Sequence, residues 1–177
     1  MDRPLPQTAA PDLEVPLTTG GTWRLADQSP DAFTLIVFYR GSHCPVCEGY
    51  NKTLNDLIDC YEERGVEVLA VSMDTKERAE QSKEEWGLDA LTVGYGLTEE
   101  RARSWGLYLS DGIKEGEPAL FSEPGLFLVR PDGTLYYAAV NTMPFGRPDL
   151  EDLLGALDFI ETNEYPARGE ATPVAQT

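Results

Sequence analysis

Residues 40–50 read RGSHCPVCEGY and hold two of the chain's three cysteines together with its single histidine. A Cys-x-x-Cys pair supports two kinds of chemistry: cycling between dithiol and disulfide, or giving two ligands to a metal. If Pro45 takes the first helical position, Cys44 is the N-cap and Cys47 lies three residues on in the same turn, so the two sulfurs can meet. A thiolate at a helix N-terminus is stabilised by the unpaired amides and the helix dipole, by up to ~2 kcal/mol. Arg40 and a protonated His43 would add to that. Cys47 falls inside the apolar stripe of the helix and Cys44 at its mouth, which predicts Cys44 as the exposed attacking thiol and Cys47 as the buried partner that resolves a mixed disulfide.

The metal alternative fails on reach. A structural zinc site takes four ligands, and the remaining candidates are His43 and Cys60. Cys60 lies thirteen residues down the same predicted helix from Cys47, about 20 Å away at 1.5 Å per residue, so it cannot join the pair. Cys60 is read as a half-buried bystander, and no metal or other cofactor is expected.

The elements that must hold this pair can be traced in the hydrophobic pattern. Phe33 to Tyr39 is apolar throughout except for Thr34, as a strand covered on both faces would be. A helix follows, with Val46, Tyr50, Leu54, Leu57, Ile58 and Tyr61 on one stripe, closing at Arg64-Gly65. Val66 to Ser72 is the next strand, and Asp74 with Glu77 suggests a capping-box start for a polar helix running to Trp86-Gly87. Leu91 to Leu97 reads as a short strand and Thr98 to Trp105 as a short helix. Gly125–Val129 and Thr134–Val140 flank the turn Arg130-Pro131-Asp132-Gly133, which predicts a hairpin and therefore an antiparallel end to the sheet. The last helix has Pro148 in its first turn and Leu150, Leu153, Leu154, Leu157 and Ile160 on one face. Ahead of the first long strand, Leu13 to Leu25 reads as a hairpin around Thr19-Gly20-Gly21. The sum is an α/β sandwich with a mixed sheet and an N-terminal β-hairpin, in which Cys44 sits where a central strand hands over to its helix.

At 177 residues, 41% of them hydrophobic, the chain suits one domain. That domain is expected over residues 12–162, between a flexible N-terminal segment, 1–11, and a flexible C-terminal tail, 163–177, both rich in Pro, Ala, Thr and Gly. The net charge of −17 argues against nucleic acid or an anionic membrane as partner, since both are captured by clustered Lys and Arg. No run of ~18 apolar residues and no signal-peptide pattern are seen, so a cytoplasmic location in a reducing compartment is expected.

FTLIVFYRG leading into CPVC at a helix start, and EPGLFLVRPDGTL further on, resemble the thioredoxin superfamily, most closely its peroxiredoxin-like branch, the alkyl hydroperoxide reductase/thiol-specific antioxidant (AhpC/TSA) family, over roughly residues 12–162. The resemblance implies a thioredoxin-like three-layer α/β/α sandwich. It also implies an oxidoreductase working through Cys44 and Cys47 on a peroxide or a protein disulfide, with a thiol donor such as a thioredoxin or glutathione system; a homodimer is admitted. Pro124 matches the proline that in such proteins is cis, faces the active cysteine and shapes the substrate groove. The family's P-x-x-x-T/S-x-x-C pattern, laid on FYRGSHCPVC, puts Cys47 at the peroxidatic position, Cys44 at the Thr/Ser position and Arg40 at the proline, while the family's second arginine falls on Pro124. Arg40 could supply the missing cation. Two orders of attack therefore stay open: thioredoxin-like logic starts at Cys44, and the peroxiredoxin alignment starts at Cys47. A reading of another class, a non-catalytic redox sensor whose disulfide switches a binding surface, stands beside both.

Overall fold

The computed structural model describes residues 3–172. In chain order its elements are β1 (Glu14–Pro16), β2 (Thr22–Arg24), β3 (Phe33–Phe38), α1 (Pro45–Asp56), α2 (Ile58–Glu62), β4 (Val66–Val71), α3 (Lys76–Glu85) and β5 (Thr92–Gly94). There follow α4 (Glu99–Ser104), β6 (Leu109–Asp111), β7 (Leu120–Ser122), β8 (Gly125–Val129), β9 (Leu135–Val140) and α5 (Leu150–Asn163). The central sheet has the order β5-β4-β3-β8-β9, with β3 parallel to β4, β4 parallel to β5, and β8 antiparallel to both β3 and β9. The β1–β2 hairpin and the mixed sheet match the expectation from sequence.

Strand β3 is buried along its whole length, and its alternate side chains feed two separate cores. Leu35 and Val37 face α1, α2 and α5, packing with Leu54, Ile58, Leu153 and Leu157. Ile36 and Phe38 face the other way, toward α4 and the N-terminal hairpin, where Trp105, Trp23 and Val15 close the layer. This gives the three-layer α/β/α sandwich. Burying one such aliphatic side chain stabilises the fold by about 1.5–3 kcal/mol, so a strand that fills two cores at once anchors whatever is attached to its end.

Several boundaries differ from the sequence reading. The helix after β3 is interrupted at Leu57, whose ψ of 3° unwinds one residue between α1 and α2. At that joint Asn55 turns its side chain to accept the backbone N–H groups of Ala90 and Leu91, tying the end of α1 to the segment before β5. Helix α3 is capped by Thr75, whose hydroxyl accepts from the Arg78 amide, and Asp74 is left free for another role. Pro148 stands outside α5, because Asp149 is the N-cap and accepts from the amides of Glu151 and Asp152. The short β6–β7 pair, unanticipated, forms in a stretch that lacks an alternating apolar pattern.

The described part of the leader, residues 3–11, runs along the β8–β9 turn: the amide of Gln7 donates to Leu135, that of Ala10 to Gly133, and that of Leu135 to Thr8. In the C-terminal segment, Tyr136 donates its hydroxyl proton to the Tyr165 carbonyl and Ala167 is buried. Residues 1–2 and 173–177 of those segments lie outside the described residues.

Candidate functional site

The carboxyl end of β3 delivers Tyr39 and Arg40 to the front of the sheet, and the chain turns at Gly41 into α1. Gly41 has φ +133°, a conformation open to glycine, and a Cβ there would sit 2.6 Å from the Asp74 carboxylate. Asp74 comes from the end of the neighbouring strand β4. It accepts the Ser42 amide at 2.7 Å and lies 3.5 Å from Arg78, which also donates to the Ser42 hydroxyl at 3.1 Å. Burial holds the Asp74 carboxyl above its usual range, partly offset by the Ser42 amide and Arg78. The turn ahead of the cysteines is thus locked to β4 from below.

Pro45 opens α1 and Cys44 is its N-cap, with the Cys44 sulfur accepting the Cys47 amide at 3.2 Å. Cys44, Cys47 and Cys60 are free thiols. Cys44 is 1% exposed and Cys47 0%, which corrects the expectation of an exposed Cys44: both sulfurs belong to the larger core. Their protons are shared unequally. The hydrogen bond from the Cys47 thiol, then the Cys47 amide, Arg147 and Arg40 lower Cys44 to about 6 against the cost of burial. Burial and donation to Cys44 raise Cys47, while Arg147 pulls it the other way. A pair with one acidic and one reluctant thiol carries a single negative charge near neutral pH.

Arg40 forms an ion pair with Glu123 at 3.2 Å and lies over the ring of Phe121, 4.7 Å from its centroid. His43 packs edge-on against the same ring at 4.7 Å. Burial, then the positive Arg40, depress His43 to about 4, so it is neutral at physiological pH and adds no cation to the thiolate. That corrects the expected help from a protonated His43. The Glu123-Pro124 peptide is trans, as are all described peptide bonds, against the expected cis proline. The backbone on either side is already paired, the Glu123 amide donating to Tyr108 and the Pro124 carbonyl accepting from Asn141. Cis X-Pro bonds are a small minority, and this one lies in a continuous run between β7 and β8. Cys60, in α2, sits partly buried at the margin of the core.

The residue that sequence reasoning missed is Arg147. Its Nη2 donates to the Cys47 sulfur at 2.7 Å, and its guanidinium lies 4.7 Å over the Tyr50 ring. Residues 141–148 run from β9 back across the mouth of α1. They are held there by Tyr50, whose hydroxyl donates to the Pro148 carbonyl at 2.7 Å, and by Tyr61, which donates to Leu150 at 2.7 Å. One signal was available: Arg147 is the only charged residue between Thr134 and Pro148. Its Nε and Nη1 are buried with no hydrogen-bond partner, so two donors remain free beside Cys47. A void of about 10 Å³, lined by Tyr50, Pro124, Asn141, Arg147 and Pro148, adjoins them. The roomier grooves, about 400 and 430 Å³, are lined by neither cysteine.

The arrangement can therefore stabilise a thiolate and offer N–H donors to a small molecule at Cys47. A second sulfur waits in the same helical turn. Comparison with known proteins gives the family. The AhpC/TSA family model matches residues 6–138. The peroxiredoxin-designated protein ycf42 of Trieres chinensis is 27% identical over 161 residues, covering 87% of this chain and 74% of the relative. The fold is that of the reduced 2-Cys peroxiredoxin of Plasmodium vivax, with a TM-score of 0.72 at 20% identity over 89% of this chain and 82% of that one. Peroxidoxin BcpB of Mycobacterium tuberculosis gives 0.72 at 18% identity, over 89% of this chain and 99% of that one. With its family model covering most of its length and a thiol pair at the head of α1, the chain belongs to the AhpC/TSA family, the peroxiredoxin-like branch of the thioredoxin superfamily, and is a thiol oxidoreductase.

Proposed function

We propose that the protein is a thiol peroxidase in which Cys47 is the peroxidatic sulfur and Cys44 the resolving one. The observation that carries this reading is the Arg147 contact to the Cys47 sulfur at 2.7 Å with two further guanidinium donors free beside it. Those donors are suited to a peroxide oxygen, on which negative charge grows as the O–O bond breaks. Burial of both sulfurs to 1% exposure or less favours a small peroxide over a protein disulfide, which must bring its own backbone to the attacking thiol.

The steps balance as follows. Cys47 passes its proton to the Cys44 thiolate and attacks the distal peroxide oxygen. The O–O bond breaks, the leaving oxygen takes the proton back from the Cys44 thiol and departs as an alcohol or water, and Cys47 becomes a sulfenic acid. The Cys44 thiolate restored by that transfer attacks the Cys47 sulfur, closing the disulfide and releasing hydroxide, which takes a proton from solvent to become water. Two thiols and one peroxide have become a disulfide, an alcohol and water. Because Cys44 is already in the first turn of α1, resolution needs no partner from another element. An external thiol system, a thioredoxin or glutathione, returns the disulfide to the dithiol by exchange.

The experiment is a comparison of wild type, Cys44→Ser and Cys47→Ser under peroxide with a thiol donor, with trapping of sulfenic acid by dimedone and peptide mapping. The expected result is no peroxide consumption by Cys47→Ser and a dimedone adduct on Cys47 in Cys44→Ser. An adduct on Cys44 in Cys47→Ser, with peroxide consumed, reverses the order of attack. Reduction of protein disulfides by wild type without peroxide turnover replaces the peroxidase reading with a disulfide reductase.

A further inference from the structure

The site described so far accounts for Arg147 and the two sulfurs, but leaves unexplained why a carboxylate is buried against Arg40. Glu123 is 4% exposed, and a buried carboxylate is costly unless it is held by donors and a counter-charge. Both supports are present. Its Oε1 accepts from the Ser110 hydroxyl at 2.7 Å, and its Oε2 faces the Arg40 Nε at 3.2 Å. Glu123 follows directly on β7, whose pairing with β6 sets Ser110 opposite Phe121. The small hairpin therefore carries both the ring that Arg40 lies on and the carboxylate that fixes the direction in which it points.

We propose that Glu123 is a positioning residue for the redox pair: it holds the Arg40 guanidinium across Phe121 and toward the Cys44 sulfur. Arg40 stands next to the turn that ends in Cys44, and a long arginine side chain with one restraint would sample solvent. Stacking on Phe121 at 4.7 Å and the ion pair together remove that freedom. Arg40 is among the groups that lower Cys44, after Cys47 and Arg147, whereas neutral His43 contributes no charge. Glu123 acts in two opposed ways: it fixes Arg40 where it helps the thiolate, and its own negative charge works against that thiolate. The two effects separate by substitution.

The inference rests on the thiol-pair reading of the site but not on peroxide as substrate. It is tested by titrating the thiolate absorbance near 240 nm of the reduced full-length protein, in a Cys60→Ser background so that only the pair is followed. Glu123→Gln keeps an acceptor for Arg40 and removes the opposing charge, so the lower midpoint falls by about half a pH unit or more. Glu123→Ala removes the same charge and also frees Arg40, so its midpoint lies above that of Glu123→Gln by about half a pH unit or more. Arg40→Gln, which probes the link from its other end, raises the midpoint above that of wild type. Midpoints of the Gln and Ala variants that agree within a few tenths of a pH unit overturn the proposal. If Glu123→Ala does not fold, an unmoved midpoint in Arg40→Gln overturns it instead. A protein that never consumes peroxide would still show these shifts, so failure of the peroxidase reading is told apart from failure of this one.

Discussion

Arg147 meets the Cys47 sulfur at 2.7 Å with two of its nitrogens left free, a geometry suited to holding a thiolate and its small substrate together. A planar fork of donors does this in a way that a lysine ammonium cannot. Arg147→Gln is expected to lower kcat/KM for peroxide by about a hundredfold, the scale seen when one preorganised donor at a developing charge is removed. Arg147→Lys should recover only part of that. Steady-state peroxide assays beside a thermal melt check the claim, and a Gln variant with wild-type kcat/KM refutes it. The acidic member of the pair has the same logic in pH. Because Cys44 is lowered to about 6, the anionic pair forms as pH rises through that value and predominates at neutral pH.

At the scale of elements, the site depends on how β3, β4 and the two loops are tied together rather than on any one helix. Gly41 is the clearest case, since its φ of +133° and the Asp74 carboxylate 2.6 Å from a would-be Cβ leave no space for a side chain. Gly41→Ala should destabilise the fold by about 1–3 kcal/mol and displace the Ser42 amide from Asp74, slowing the thiol chemistry as well. For a chain of this length that is about 2–4 °C in Tm per kcal/mol. A melt together with a peroxide assay reads both, and an unchanged Tm with unchanged rate would show that the Gly41 turn is not held by Asp74. The loop 141–148 is tied in a similar way, by Tyr50 and Tyr61 from α1 and α2 and by the Asp149 cap on α5.

The whole molecule carries a net charge of −17, yet Arg40, Arg78 and Arg147 are gathered around the cysteine turn. Self-repulsion of that magnitude opposes the compact state and is screened by salt over a Debye length of ~10 Å at 0.1 M. Raising NaCl from about 0.01 M to about 1 M at neutral pH should therefore move the urea midpoint upward, even though individual surface ion pairs weaken. A midpoint that falls with salt would mean that the ion pairs, not the repulsion, dominate.

What the sequence determined by itself was local and periodic. The apolar run 33–38, the hairpin signal at Pro131-Asp132-Gly133 and the leucine face of α5 each bury their side chains in one obvious way, so the mixed sheet and the layered fold were legible. Pro45 beside Cys44 likewise fixed the helix start. Only the tertiary structure decided what approaches that start from elsewhere in the chain. Arg147 arrives from 100 residues away, Glu123 takes a buried place beside Arg40, and the core closes over a cysteine expected to be exposed. His43 became neutral for the same reason: burial and a neighbouring arginine are properties of the packed fold. Short-range patterns set which element forms, but the field at a sulfur is the sum of groups that meet only after folding.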